Sequence, residues 1–444
     1  MGIKNYISYF TNSYPDIICK KTKKPIDILC IDTNSILHEI CEKSKNKQEF
    51  KNQLYNKLNK LVKKLNPKKI ALFVDGQAVL AKAETQIKRR YKHLYSTTEF
   101  IDTLNLTPGT LFMDFVDEII PEYLKSLKIE TYYSSSKENN EGEFKLFQWL
   151  KKIYVDGTIC IYGNDADLIV LALINKPLLN LYIYNGKQFI SLFNLIKSLS
   201  ELTGYWYDFK THPIRNDVGL ISLLVGNDYN SSISSINNLI NAYIDILYLN
   251  YPKKVFLVRK DGSINLKNMR LLFEKLSEDQ YSDNKLYSNT DVKKYFQALS
   301  WNFELYKGVV NPLFIPDYKI NLNTILHYFP KYIDSIQTDY SWIEKDINTL
   351  LIMPRIGINL IPEKLRKYMK DDSPIIDLFP VKCNECLHFK TEISLINSKI
   401  DLLQEKEFKI LSSLINKNYK KHLDDFHSVN IKEKIQILRK YVID

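Results

Sequence analysis

Three short apolar runs constrain this chain more than anything else in it: Ile26 to Ile31, Ile70 to Val74, and Thr158 to Tyr162. Near-continuous apolarity over so few residues is the mark of a strand buried on both faces. Between the first two runs, Leu54, Leu58, Leu61, Val62 and Leu65 form one stripe of a helix that stops before Pro67. Strand, helix, strand reads as parallel α/β. The first run closes on Asp32 and the second on Asp75. The third leads into Gly163-Asn-Asp-Ala-Asp-Leu168, which sets Asp165 and Asp167 two residues apart. Carboxyl ends of strands are where open α/β sheets place their ligands.

One Asp-x-Asp alone is ordinarily a polar loop with two solvated acids. Recurrence argues otherwise. Glu141 and Glu143 stand at the start of a helix buried through Leu146, Phe147, Leu150 and Ile153, and Asp228 follows the apolar stretch Leu220 to Val225. Seven carboxylates converging on one edge would repel and raise one another's pKa values. Divalent cations remove that conflict, and hard ions such as Mg²⁺, with Mn²⁺ as a substitute, prefer oxygen ligands. Two such ions make a phosphodiester-hydrolysing centre.

Lys82, Gln86, Arg89 and Arg90 share one face of a helix that starts soon after Asp75. A basic face is ordinarily solvated. Beside an acidic cleft, three cations and an amide suit a terminal phosphate instead, with Arg making bidentate contacts. His38 lies six residues past Asp32 and can stack on a base there, although a lone His is more often packed or exposed.

Composition agrees with a nucleic-acid partner. The 444 residues carry a formal net charge of +11, with 30 Tyr and 21 Phe, cations for a backbone and flat faces for bases. Six cysteines without framework spacing predict free thiols in a reducing compartment. Cys383-Asn-Glu-Cys386 is a lone CxxC without a second pair, so zinc is not expected. No signal peptide, lipidation signal or membrane-length apolar run is present, and a cytoplasmic monomer is expected. The domain reading is an α/β nuclease core over 1–235, a helical or linker segment over 236–290, and a mostly helical second region over 291–444. Ile129 to Tyr133 reads as a further strand, Leu179 to Tyr184 as an edge strand, and residues 260–290 as a polar excursion. Ile393 to Leu414 keeps the spacing of a long helix.

Together these residues resemble the XRN family of 5′→3′ exoribonucleases, relatives of flap endonucleases among the PIN-like nucleases. The matching stretches are Ile31-Asp-Thr-Asn-Ser-Ile-Leu-His38, Val74-Asp-Gly76 with Ala81 through Arg90, Leu106-Thr-Pro-Gly-Thr-Leu-Phe-Met113, Glu141-Gly-Glu143, Ile161 through Leu168, and Val225-Gly-Asn-Asp228. Tyr295 through Trp301 and Ser373 through Pro380 resemble the family's second region. The resemblance implies a PIN-like fold, and it puts the metal-binding acids at Asp32, Asp75, Glu141, Glu143, Asp165, Asp167 and Asp228. It also implies a 5′-monophosphate pocket of Lys82, Gln86, Arg89 and Arg90, base stacking by His38 with Trp301 as its candidate partner, and stepwise degradation of single-stranded RNA. A flap endonuclease acting on DNA and a non-catalytic RNA-binding scaffold are the rival readings. Two departures stand out: Asn140 where the family usually has Gly, and Phe144 where it usually has His.

Overall fold

The computed structural model describes residues 3, 6–91, 103–153, 157–175, 180–201, 213–278, 285–309, 311–336, 339–379, 413–414 and 430–443. Cys383, Cys386 and nearly all of the Ile393–Leu414 pattern lie outside them. The strands are β1 (Ile18–Cys19), β2 (Ile28–Asp32), β3 (Lys69–Phe73), β4 (Glu130–Ser134), β5 (Ile159–Tyr162), β6 (Leu181–Tyr184) and β7 (Phe189–Ser191). The helices are α1 (Tyr6–Ser13), α2 (Thr33–Cys41), α3 (Lys47–Leu65), α4 (Ala83–Tyr91), α5 (Leu111–Lys125), α6 (Gly142–Lys152) and α7 (Asp167–Ile174). They continue as α8 (Leu192–Glu201), α9 (Ile214–Leu224), α10 (Ile236–Leu249), α11 (Leu266–Glu278), α12 (Asn289–Tyr306), α13 (Leu322–His327) and α14 (Lys345–Ile352).

Two compact units emerge. The first comprises Met1–Ile40, Lys51–Ala81 and Glu118–Trp342; the second comprises Cys41–Phe50, Lys82–Asp117 and Ile343–Asp444.

The first unit holds one sheet, in the order β1-β7-β6-β5-β2-β3-β4. Strands β6, β5, β2, β3 and β4 run parallel; at one edge β7 pairs antiparallel with β6, and β1 pairs antiparallel with β7. The fold is thus α/β with a mainly parallel sheet. β2, β5 and β6 are buried at every position, as strands covered on both faces must be. The strand read at an edge is β6, and it lies between β5 and β7 instead; a four-residue apolar run does not reveal its neighbours. Helix α6 packs on β2 and β3, α7 on α6 and α9, and α10 on α9 and α11. The apolar run Leu168 to Ile174 is a helix, buried on all sides apart from its first residue, Asp167. The stretch read as a polar excursion contains α11, which buries Leu266, Met269, Leu272, Phe273 and Leu276. That helical spacing was there to be counted; the charged residues between masked it. Among the described residues, no helix is long and apolar enough to cross a membrane.

In the second unit α14 packs against α4 and against the helix Ile431–Val442. Gly109, at φ +90°, lies so close to Thr349 that a Cβ would fall 2.1 Å from its Oγ1. Arg439 reaches Glu344 at 3.1 Å.

Candidate active site

The site grows out of strand register. Ile31 of β2 stands opposite Leu72 of β3 and Tyr162 of β5, so the three central strands finish level. The chain runs outward from β2 to β3 and β4, then returns across β2 to build β5 and β6. That reversal opens a crevice at the strands' carboxyl ends between β2 and β5. Asp32 ends β2, Asp75 lies just past β3, and Asp165 just past β5.

Carboxylate oxygens of Asp32, Asp75 and Glu143 lie within 4.8 Å of one another. Glu143 arrives from the first turn of α6, and the way that helix starts locks the arrangement. The Gly142 amide donates to Asp75 Oδ1 at 2.7 Å, so a carboxylate just past β3 caps α6. The Asp75 amide in turn donates to Asn34 Oδ1 on α2 at 2.9 Å. A Cβ at position 142 would stand 3.0 Å from Phe73 O, 3.2 Å from Asp75 Oδ1 and 3.4 Å from Asp32 Oδ1. A side chain here would press on two carboxylates and a carbonyl, each of which would have to give by a few tenths of an ångström. The start of α7 repeats the device: the Asp167 amide donates to Asp165 Oδ1 at 3.2 Å.

Electrostatically the centre is strained by like charge. Burial pushes the Asp32 carboxyl well above the usual carboxylate range; Asp75 and Asp165 raise it further, the Asn34 amide pulls it back, and Glu141 adds a smaller upward push. A buried carboxylate ringed by carboxylates is costly. The donor set is all oxygen, and a hard divalent cation is what such a set fits. Asp32, Asp75 and Glu143 would hold it. When bound, such an ion supplies a nucleophilic hydroxide and stabilises charge on phosphoryl and leaving oxygens.

Two further acids are oriented by buried phenols. Tyr229 donates to Glu141 Oε2 at 2.7 Å, and Tyr306, the last residue of α12, donates to Asp167 Oδ1 at 2.7 Å. Burial first, then the facing carboxylates, hold both hydroxyls protonated well above the ordinary tyrosine range. Each therefore acts as a fixed donor that orients a carboxylate without neutralising it. Asn227 Nδ2 donates to the Tyr306 hydroxyl at 3.3 Å, Asn175 Nδ2 donates to the Tyr306 carbonyl at 2.9 Å, and Phe144 meets the Tyr306 ring edge-on at 5.3 Å. Tyr229, Tyr306 and Asn227 were not singled out from the sequence. A buried phenol needs a partner, yet nothing in the order of residues says which acid it serves.

Asp228 follows the turn that ends α9, where Gly226 takes φ +92°, and it stands outside the trio, as do Glu141, Asp165 and Asp167. His38 is exposed on α2. Trp301 is 4% exposed; its Nε1 donates to Asn311 O, and its ring packs against Phe314 and Tyr229, so its faces are taken up by protein. In the second unit, Lys82 is buried at the turn leading into α4, while Gln86, Arg89 and Arg90 are half-buried on that helix. Arg90 Nε donates to Thr107 Oγ1 at 2.8 Å and its Nη1 to Gln86 O at 3.1 Å, which ties α4 to the Thr107 turn.

Residues 1–183 match the family model described as XRN 5'-3' exonuclease N-terminus. The chain is 24% identical over 370 residues to 5'-3' exoribonuclease 1 of Schizosaccharomyces pombe, covering 66% of this chain and 28% of that protein. It is 24% identical over 349 residues to 5'-3' exoribonuclease 1 of Homo sapiens, covering 63% of this chain and 20% of that one. The chain therefore spans between a fifth and three tenths of the length of these relatives. The solved catalytic core of Rad2 in complex with DNA substrate aligns with 71% of this chain and 91% of its own, at 14% identity and a TM-score of 0.36.

Proposed function

We propose that this chain, whose residues 1–183 match the family model described as XRN 5'-3' exonuclease N-terminus, is a divalent-metal-dependent 5′→3′ exoribonuclease acting on 5′-monophosphorylated single-stranded RNA. The observation that carries the proposal is the carboxylate trio, Asp32, Asp75 and Glu143, inside the matched region at the carboxyl edge of a parallel sheet. In this reading the trio holds Mg²⁺ or Mn²⁺. Glu141, Asp165, Asp167 and Asp228 complete the acidic set for a second ion. Tyr229 and Tyr306 keep Glu141 and Asp167 in one rotamer each, so the carboxylates need no rearrangement when metal and RNA arrive. Lys82, Gln86, Arg89 and Arg90 take the 5′-phosphate, a role that rests on family resemblance and on the charge of that helix. His38, exposed on α2, offers its ring to a base.

The test is a single-stranded RNA labelled along its length and prepared with a 5′-phosphate, 5′-hydroxyl or 5′-triphosphate, incubated with Mg²⁺ or EDTA. Mononucleotides should appear from the 5′-phosphate strand with Mg²⁺ alone, and at least about tenfold more slowly from the other two ends. Internal fragments would point to an endonuclease. Turnover that persists in EDTA would remove the metal assignment.

A further inference from the structure

The segment between α10 and α11 does more than connect them. It leaves α10 through Tyr248, Leu249 and Tyr251, which are 65%, 75% and 66% exposed. Three residues later begins a groove of about 690 Å³ whose polar lining is Lys254, Arg259, Lys260, Asn216, Asn265 and Asn268. Among the described residues that line it there are three cations, three amides and no carboxylate. None of them belongs to the carboxylate centre.

The groove is held by backbone. The Arg259 amide donates to Ser263 O at 2.8 Å, the Gly262 amide to Arg259 O at 2.9 Å, and the Asn265 amide to Leu257 O at 2.7 Å, a hairpin that presents Arg259 and Lys260 at its rim. Asn268 Nδ2 donates to Phe256 O at 2.7 Å, pinning the hairpin to the first turn of α11. Asp261, the nearby acid at the tip, accepts from the Ser263 amide and hydroxyl at 2.9 and 2.7 Å; those bonds first, and the Arg259 charge to a lesser degree, hold its carboxyl below the ordinary range, while Arg259 Nη1 donates to Ser263 Oγ at 3.3 Å. From the other side the hairpin is anchored by the buried Asp217, which accepts from the Leu257 and Val258 amides. A concave, cationic surface reached a few residues along the chain from exposed aromatic rings suits a single strand of nucleic acid: phosphates in the groove and bases against the rings. A lone small anion would use the cations and leave the tyrosines without purpose.

We propose that Lys254, Arg259 and Lys260, with Tyr248 and Tyr251, form an auxiliary site for the backbone and bases of single-stranded RNA. It rests on the nuclease reading only for the identity of the polymer. The site adds affinity for long strands and takes no part in hydrolysis.

The test measures fluorescence anisotropy in EDTA, so that no strand is cut, with labelled single-stranded RNAs of about 6 and about 20 nucleotides over a range of salt. Lys254→Gln/Arg259→Gln/Lys260→Gln should weaken binding of the longer RNA about tenfold and flatten its log Kd against log salt slope by about two. The 6-mer should bind as it does to the unsubstituted protein. Tyr248→Ala/Tyr251→Ala should weaken the longer RNA about threefold with the slope unchanged, separating stacking from charge. Unchanged affinity and slope in the triple variant would overturn the site, as would equal loss for both lengths. Because hydrolysis is not read, a protein that cuts RNA but shows no slope change loses only this site. One that shows the slope change without cutting loses only the nuclease reading.

Discussion

Asp32 and Asp217 are both buried in the first unit, 8% and 0% exposed, and burial raises the pKa of both. Their neighbours differ in kind. Around Asp217 every contact donates: the Tyr243 hydroxyl at 2.5 Å and the Leu257 amide at 2.9 Å to Oδ2, and the Val258 amide at 2.8 Å to Oδ1. Those donors work against burial, and the group settles at about 7. Around Asp32 the Asp75, Asp165 and Glu141 carboxylates add to the effect of burial. The first site is complete as it stands and holds α9, α10 and the following hairpin together. The second calls for a cation. Burial of a charge does not distinguish scaffold from active centre; the sign of what surrounds it does.

The sharpest way to break this contrast is Asp32→Asn. On the proposed function this removes a metal ligand and should lower RNA hydrolysis by about a thousandfold or more. The same substitution should raise the melting temperature of the protein in EDTA, because it removes one of several mutually repelling charges. Activity that survives, or a lower melting temperature, would mean that the carboxylates are not held together against their charge. Asp167→Ala should likewise abolish turnover and leave RNA binding intact.

Asp217 should answer in stability alone. Asp217→Ala strands one hydroxyl and two amides in the interior and should cost about 3 kcal/mol or more, read from urea unfolding. Its titration gives a second handle. An unfolded Asp ionises above about 4, whereas the folded protein keeps this proton until about pH 7. Between those values the folded state binds more protons, so this group's contribution to stability falls as pH rises, by at most about 4 kcal/mol. Comparing Asp217→Asn with the unsubstituted protein at pH 5 and pH 7.5 isolates that slope, since Asp32 contributes with the same sign to both. An identical pH dependence in the two proteins would show that Asp217 is ionised throughout.

Tyr306→Phe tests the boundary between the two kinds of site, because here a neutral donor serves an acid of the reactive set. The hydroxyl holds Asp167 Oδ1 at 2.7 Å. Its loss should weaken Mn²⁺ binding, followed by titration calorimetry, by about tenfold or somewhat more, with about 1 kcal/mol of stability lost. A purely structural tyrosine would lose the stability and leave metal affinity alone.

How much of this was legible beforehand follows from the same physics. The three central strands and their terminal acids were readable because a strand buried on both faces is apolar throughout, and a polar residue at its end is conspicuous. Asp32, Asp75 and Glu143 come from three separate stretches, and their meeting depends on β2 lying beside β3 in register. The parallel-sheet reading implied that much. The phenols were not legible: Tyr229 and Tyr306 look like two among 30 tyrosines, and their roles exist only where the segment after α9 and the end of α12 pack beside the acids. The helix α7 was ambiguous for a simpler reason, since seven apolar residues in a row carry no period. Trp301 was chosen for its type, and type does not reveal that Phe314 and Tyr229 cover it.

The smallest effect sharpens the comparison where the chain departs from the family it resembles. Asn140, just before Glu141, takes φ +87°, a backbone conformation that glycine adopts freely and asparagine tolerates better than most. Its amide donates to Gln77 O at 2.7 Å, its carbonyl accepts from the Gly76 amide at 2.9 Å, and its Oδ1 accepts from the Glu141 amide at 3.0 Å. The side chain thus supplies a bond that glycine cannot, at the cost of a strained φ. The two terms nearly offset, so Asn140→Gly should change stability by less than about 1 kcal/mol and leave hydrolysis within about twofold. Asn140→Ala keeps the strain and loses the bond, and should cost about 1–2 kcal/mol in urea unfolding. Should Ala prove as stable as Asn, the positive φ is not what this position demands. The approach of Gly142 to Asp75 and Asp32 would then be set by α6 alone.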